Sequence, residues 1–180
     1  KSFVSNNLAH SLALNNKKTV LLVFDLRKPK LYIEPLKESQ GLSSYLINKS
    51  TIEDITFKSD IDNLDIIPSG VLPPNPAELI ASEKTDTLIK ELKKKYDYII
   101  IDSPPIGIIS DGINLSKFAD IVLLIVRYNY TKIKPFANLL RSLKGKIKNL
   151  NLVTNSLELG KKAYSYEYGY GYGTYNSYKY

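Results

Sequence analysis

Two aspartates, Asp25 and Asp102, each follow a short apolar run and precede a proline-containing break in the chain. The runs before them, 19–24 and 98–101, have the composition of strands that are buried on both faces. Ligands of parallel sheets bind beyond the carboxyl ends of the strands, where both aspartates would lie. Because carboxylate oxygens suit Mg²⁺, the two acids are candidates for one shared cation site. The alternative for Asp102 is a carboxylate that caps the turn after its strand.

Lys1 and Ser2 stand directly before a segment in which apolar residues recur at helical spacing. A phosphate-binding loop ends in Gly-Lys-Ser or Gly-Lys-Thr at a helix N-terminus. At that place the helix dipole and amide groups favour phosphate, the lysine offsets phosphate charge, and the hydroxyl ligates Mg²⁺. No glycines precede Lys1 here, so we predict a P-loop whose N-terminal part is missing. The alternative is an ordinary exposed terminal lysine.

Arg27 lies two residues beyond Asp25 and has two possible roles. Its guanidinium group suits contact with a phosphate and equally suits pairing with a carboxylate.

The C-terminal segment 161–180 is dominated by tyrosine and glycine. It contains few aliphatic residues that could anchor it to a core, so we expect a flexible, accessible tail. A tyrosine-rich tail beside a nucleotide site favours phosphoacceptor tyrosines. The alternatives are a self-associating strand and a tail that stacks on single-stranded nucleic acid, for which the flanking lysines supply little charge. The eight candidate acceptors are Tyr164, Tyr166, Tyr168, Tyr170, Tyr172, Tyr175, Tyr178 and Tyr180.

The composition of the 180 residues is that of an ordinary soluble domain, with 43% hydrophobic and 24% charged residues. No apolar run is long enough to cross a bilayer, and the absence of cysteine excludes disulfides and thiolate metal sites. The net charge of +7 would suit a nucleotide, nucleic acid or a membrane face. Because the lysines are spread over presumed helix faces, we interpret most of them as solvated surface and predict no nucleic-acid partner.

The order of predicted elements indicates an α/β fold. Predicted strands alternate with helical stretches, which implies a mostly parallel central sheet flanked by helices, with right-handed crossovers. A proline-rich segment at 70–76 is expected to be an extended loop. The predicted strands cover 19–24, 64–67, 98–101, 120–126 and 150–153, and the predicted helices cover 2–16, 41–47, 77–95 and 131–144.

Taken together, these segments resemble the bacterial tyrosine kinase family, the cytoplasmic kinase domains of capsule and exopolysaccharide co-polymerases. The stretch KSFVSNNLAHSLAL looks like the end of a Walker A loop with its helix, and YDYIIIDSPPIGIISDG looks like Walker B. The stretch VLLVFDLRKPKL is similar to the Walker A′ segment of this family, and IPSGVLPPNPAELI to its proline-rich loop. The last two are fairly specific in combination, whereas Walker B is shared with partitioning ATPases.

The resemblance implies a P-loop NTPase fold like that of MinD and ParA, with a kinase domain at 1–160 and a tyrosine cluster at 161–180. It implies ATP and Mg²⁺ as cofactors. The implied catalytic residues are Lys1, Asp25 and Asp102; the implied metal ligands are Ser2, Asp25 and Asp102; the implied nucleotide contacts are Lys1, Ser2, Arg27 and Asn155. A turn asparagine is the alternative for Asn155. Val23 stands where the family normally has the first acid of its A′ motif, so the identity of the catalytic base is open.

The resemblance also implies what the chain works with. It suggests an autokinase that phosphorylates the tails of neighbouring copies in a ring-like homo-oligomer and so regulates capsular or exopolysaccharide synthesis and export. The implied partners are a transmembrane activator, in the same chain or separate, and a tyrosine phosphatase. The implied location is the cytoplasmic side of the bacterial inner membrane. The alternatives are a MinD- or ParA-type ATPase and, because of Val23, a non-catalytic nucleotide-binding module.

Overall fold

A computed structural model of the chain describes residues 1–27, 40–107 and 110–157. Across these ranges no helix combines the length and the apolar character that crossing a membrane requires. The helices are α1 (Ser2–Leu14), α2 (Leu42–Leu46), α3 (Ile52–Ile55), α4 (Pro76–Ala81), α5 (Glu83–Lys95), α6 (Asp111–Ser116) and α7 (Ile133–Leu143). The strands are β1 (Thr19–Val23), β2 (Phe57–Lys58), β3 (Leu64–Ile67), β4 (Tyr98–Asp102), β5 (Val122–Arg127) and β6 (Leu150–Asn155).

Strand β1 lies inside a four-stranded sheet of order β2-β3-β1-β4. It runs parallel to β3 and to β4, and the short edge strand β2 is antiparallel to β3. All five residues of β1 are buried, as its continuous apolar run predicts. The mostly parallel α/β architecture is therefore confirmed. Strands β5 and β6 pair in parallel in a second, two-stranded sheet.

Alternate residues of β1 enter two different core clusters because side chains of a strand point to opposite faces. Val20 and Leu22 belong to the larger cluster, which also contains Leu88 and Leu92 of α5. Leu21 faces the other way and packs in a cluster with residues of α1 and β3. Side chains therefore pack against both faces of the sheet, and this packing holds the ends of β1 and β4 in position.

The predicted helix at 77–95 is wrong in one respect, because the structure divides it at Ser82 into α4 and α5. Ser82 has an extended backbone, and its hydroxyl donates to the Leu79 carbonyl over 2.7 Å. Thr85 donates to the same carbonyl over 3.1 Å. These local hydrogen bonds satisfy the end of α4 and replace the helical ladder at this point. The short elements α3, β2 and α6 are additional to the predicted ones.

Candidate nucleotide-binding site

Three charged residues that are distant in sequence meet at the carboxyl ends of β1 and β4. Val23 is opposite Asp102 in the register of these strands, and the Phe24 amide donates to the Asp102 carbonyl over 2.9 Å. This pairing places Asp25 beside Asp102. The Lys1 ammonium nitrogen lies 3.0 Å from Asp102 Oδ1 and 3.7 Å from Asp25 Oδ2. The chain therefore forms a compact cluster of one cation and two carboxylates.

The two carboxylates of this cluster are buried, so they require positive charge close by. The Asp102 side chain is 1% exposed and the Asp25 side chain 8%. Two buried carboxylates repel each other unless positive charge is present, and Lys1 supplies one such charge. Within the residues that the structure describes, Asp102 Oδ2 is buried and accepts no hydrogen bond. That oxygen is suited to an incoming cation.

The donor set fits Mg²⁺ in the presence of a phosphate ligand. The Asp25 and Asp102 carboxylates and the Ser2 hydroxyl are hard oxygen donors, and the Ser2 oxygen lies 3.4 Å from the Lys1 ammonium nitrogen. No group of three or more His, Cys, Asp or Glu residues capable of holding a metal ion occurs in 1–27, 40–107 or 110–157. The two carboxylates, Asp25 and Asp102, suit Mg²⁺, which usually takes one or two carboxylates and completes its shell with phosphate and water.

The N-terminus of α1 adds further positive potential to the site. The helix extends over 13 residues from Ser2, and it has neither a side-chain cap nor an acidic residue in its first turn. The amide groups of an uncapped first turn and the helix dipole favour an anion. An ammonium group and a helix N-terminus therefore stand beside two carboxylates, a combination that suits a phosphate together with its metal ion.

Arg27 is held by a carboxylate that the sequence interpretation did not identify. Its Nε lies 3.0 Å from Asp111 Oδ2, and its Nη2 donates to Asp111 Oδ1 over 3.4 Å. The hydrogen bond to Asp111 raises the pKa of Arg27 above its ordinary value. The Arg27 amide also lies 3.4 Å from Asp25 Oδ1. The structure shows Arg27 paired with a carboxylate, and its contact with a phosphate stays a prediction.

Asp111 is fully buried at the start of α6. The sequence shows only an aspartate before a glycine, which is typical of a turn. Its partner Arg27 lies 84 positions away, so no local pattern could indicate the pair. Asp111 thus connects α6 to the segment that carries Asp25.

Two other residues have their surroundings defined by the structure. Val23 ends β1 and is buried, so an apolar side chain occupies the position of the missing acid. Asn155 ends β6, and its Oδ1 accepts a hydrogen bond from the Ser156 amide over 2.8 Å. That bond is a local turn contact, and the nucleotide contact at Asn155 stays a prediction. The eight tail tyrosines and the predicted boundary at residue 160 lie outside the described residues.

Comparison with known proteins supports a kinase domain. Residues 1–158 match a family model described as an AAA domain. Over 167 residues the chain is 37% identical to the putative tyrosine-protein kinase CapB of Staphylococcus aureus, covering 91% of this chain and 72% of CapB. This chain belongs to the bacterial tyrosine kinase family. The enzyme class of this family, and of this chain, is protein-tyrosine kinase.

Solved structures agree with the assignment to the bacterial tyrosine kinases. The kinase domain of VpsO matches with a TM-score of 0.81 and 32% identity, covering 88% of this chain and 79% of that one. The septum site-determining protein MinD of Pyrococcus horikoshii, complexed with Mg-ADP, matches with a TM-score of 0.60 and 21% identity, covering 83% of this chain and 60% of that one. This second likeness shows the shared fold alone. Several curated tyrosine-protein kinases are much longer, and the chain spans only 18 to 24% of their length.

Proposed function

We propose that this bacterial tyrosine kinase binds ATP with Mg²⁺ at the cluster of Lys1, Asp25 and Asp102 and transfers the γ-phosphoryl group to tail tyrosines of neighbouring copies. The observation that carries the proposal is the ammonium group of Lys1, 3.0 Å from a buried Asp102 carboxylate at the N-terminus of α1. A cation, a helix N-terminus and an oxygen donor set are the groups that phosphoryl transfer requires.

Each residue of the cluster has a separate role in this proposal. Lys1 neutralises charge on the β- and γ-phosphates, and the first turn of α1 donates amide hydrogen bonds to them. Asp25, Asp102 and the Ser2 hydroxyl hold Mg²⁺, which supplies charge neutralisation and fixes the geometry of the phosphate chain. Mg²⁺ held by these carboxylates would neutralise their charge and leave the Lys1 ammonium group available to the phosphates.

Val23 has no group that accepts a proton, so the proposal needs no base at that position. Phosphoryl transfer passes through a loose transition state in most analyses, and its catalysis depends mainly on positioning and electrostatic stabilisation. The attacking tyrosine hydroxyl can therefore keep its proton until late in the step. The proton can then pass to an oxygen of the transferred phosphoryl group or to water, so Asp25 and Asp102 keep their proposed role as ligands of Mg²⁺.

The substrate that we propose is the cluster of eight tyrosines at 164–180. The family resemblance implies transfer in trans within a ring-like oligomer, in which the tail of one copy enters the site of its neighbour. Each transferred phosphoryl adds a charge of about −1.5 to −2. Repeated phosphorylation would therefore make neighbouring tails repel one another and would loosen the ring.

The relatives also suggest a cellular setting. CapB and the other curated relatives are named as tyrosine-protein kinases, and one is described as lying in a cps region. We propose that this chain acts at the cytoplasmic face of the inner membrane, with ATP and Mg²⁺, in the regulation of capsular or exopolysaccharide export. A transmembrane activator, in the same chain or separate, and a tyrosine phosphatase would complete the cycle.

The proposal is tested by incubating the purified chain with MgATP and measuring phosphotyrosine and ATP hydrolysis in parallel. The variants are Lys1→Ala and a chain that ends at Lys162. Phosphotyrosine on the full chain alone, with nucleotide binding retained by the shortened chain, would support the proposal. ATP hydrolysis without phosphotyrosine would favour a MinD- or ParA-type ATPase, and the absence of both would favour a non-catalytic nucleotide-binding module.

A further inference from the structure

The positive charge of the chain is concentrated in one segment. Residues 121–157 contain seven basic residues and no acidic residue, whereas the whole chain has 25 basic and 18 acidic residues. The segment comprises β5, α7, β6 and the turns between them. Its seven basic residues, which we name the basic surface, are all exposed: Arg127, Lys132, Lys134, Arg141, Lys144, Lys146 and Lys148.

Among the described residues, carboxylates pair with some of the exposed lysines elsewhere in the chain but with none of the basic surface. Lys94, Lys95 and Lys117 form ion pairs with acidic side chains at 2.7 to 3.3 Å. Among the described residues, by contrast, no member of the basic surface takes part in a salt bridge. Unneutralised charge of one sign produces a field that attracts an anionic partner.

Helix α7 presents part of this charge on one side. Lys134 and Arg141 are seven residues apart, close to two helical turns, so they project from the same face. Leu143 projects from the opposite, inner face and is buried. The helix therefore has a basic outer face and an apolar inner face, and further lysines follow it in the turn before β6.

Exposed apolar groups lie at the N-terminal end of the same helix. Ile133 is 83% exposed and Tyr130 is 75% exposed, with Lys132 and Lys134 next to them in sequence. The Arg127 guanidinium lies 5.4 Å from the centre of the Tyr130 ring. An exposed aliphatic side chain gains nothing from phosphate charge, but it gains free energy when it enters the interface of a bilayer.

We propose that the basic surface docks the kinase on an anionic membrane, with the seven cations on lipid phosphates and with Ile133 and Tyr130 in the interface. The combination of cations with an exposed isoleucine favours lipid over nucleic acid or a phosphorylated tail, since the latter two offer no apolar phase. None of the seven basic residues is Lys1, Asp25 or Asp102, and the inference does not depend on the kinase reaction.

The test is cosedimentation of the whole chain, without nucleotide, with vesicles of phosphatidylcholine alone or mixed with phosphatidylglycerol. We expect binding to the mixed vesicles only, and release at high salt. Each basic residue near such a surface contributes roughly fivefold to partitioning. The double variant Lys132→Gln/Lys134→Gln, and independently Lys144→Gln/Lys146→Gln, should therefore bind at least about tenfold more weakly. Ile133→Ser should also weaken binding while keeping the same salt dependence.

The matched control removes two charges elsewhere, with Lys90→Gln/Lys93→Gln on the exposed face of α5. It should bind like the original chain, and circular dichroism checks that all variants are folded. Equal losses in the control and in the Lys132/Lys134 variant would overturn the proposal, because net charge alone would then explain binding. Equal binding to both vesicle types would also overturn it. The proposal would also be overturned if Ile133→Ser bound vesicles normally and the original chain bound a single-stranded oligonucleotide tightly.

Discussion

The Lys1 ammonium nitrogen lies 3.0 Å from Asp102 Oδ1, although 101 positions separate the two residues in the chain. Lys1 precedes α1 and Asp102 ends β4, so packing of α1 against the sheet brings them together. Asp25 joins them because β1 is the parallel neighbour of β4. The contact is the structural core of the proposed nucleotide site.

Replacement of Lys1 by alanine should abolish phosphotyrosine formation and weaken ATP binding. It also leaves Asp102 Oδ1 buried without its cation, which costs about 1 to 3 kcal/mol of the free energy of unfolding. Lys1→Arg keeps the charge and should recover the stability but little of the activity, because a planar guanidinium does not reproduce a compact ammonium group. Chemical denaturation and phosphotyrosine assays check both statements. Undiminished phosphotyrosine in Lys1→Ala would contradict the role of Lys1.

Asp102→Asn should remove the effect of Mg²⁺ on ATP binding while the protein stays folded. The amide keeps the size of the side chain but removes one of the two carboxylates proposed to hold Mg²⁺. We expect that Mg²⁺ no longer tightens ATP binding in this variant, whereas binding of nucleotide without metal is retained. Titration calorimetry with and without Mg²⁺ measures the difference, and Asp97→Asn, an exposed position before β4, is the control. Equal Mg²⁺ enhancement in Asp102→Asn and in the control would exclude Asp102 as a ligand.

The pair of Arg27 and Asp111 should position Asp25. Arg27→Ala leaves the fully buried Asp111 without its partner, whereas Asp111→Ala leaves an arginine that water can reach. The first variant should therefore lower the free energy of unfolding more than the second. Both should weaken Mg²⁺-dependent ATP binding through the shifted Asp25 carboxylate. A double-mutant cycle measures the coupling, and strictly additive losses would show that the pair does not act as a unit.

Tyr96 should make the stability of the fold sensitive to alkali. Burial and a 2.6 Å hydrogen bond to Asp65 raise the pKa of Tyr96 well above its ordinary value of 10.0. Because the folded state holds this proton more tightly, the stabilisation is complete below about pH 10 and is lost as the pH rises toward the folded pKa. Tyr96→Phe should cost about 1 kcal/mol at neutral pH.

The same variant should show a smaller loss of stability on raising the pH above 10. Some loss should remain, because burial also raises the pKa of Tyr45. Denaturant titrations at pH 8 and at about pH 11 check both statements, with Tyr128→Phe at an exposed position as the control. An alkaline loss in Tyr96→Phe as large as in the original chain would contradict the role of Tyr96.

The sequence was most informative where local composition reflects burial. The apolar run at 19–24 predicts a strand that the structure places at Thr19–Val23, and the run at 98–101 extends in the structure to Asp102. Since the carboxyl ends of neighbouring parallel strands share one edge of a sheet, the proximity of Asp25 and Asp102 could be expected from these runs alone.

Features that depend on distant or very local contacts could not be predicted in the same way. The Arg27–Asp111 pair joins positions 84 residues apart and has no periodic signature. The break at Ser82 arises from two side-chain hydrogen bonds to one carbonyl, in a segment without glycine or proline. A serine followed by Glu83 and Asp86 was nevertheless a usable signal for a new helix N-terminus. The composition does not predict that β5 and β6 pair in a sheet of their own, because the run at 120–126 looks like any other buried strand.

The most direct test of the central proposal, transfer in trans, mixes two defective chains. Full-length Lys1→Ala keeps the tail tyrosines but lacks the proposed phosphate-binding cation, and the chain that ends at Lys162 keeps the site but lacks the acceptors. We predict that neither chain alone gains phosphotyrosine with MgATP and that the mixture gains it on the full-length Lys1→Ala chain. Phosphotyrosine in a sample of Lys1→Ala alone would contradict transfer in trans. So would the absence of phosphotyrosine from the mixture, provided that the original chain phosphorylates itself and that each variant binds ATP as predicted.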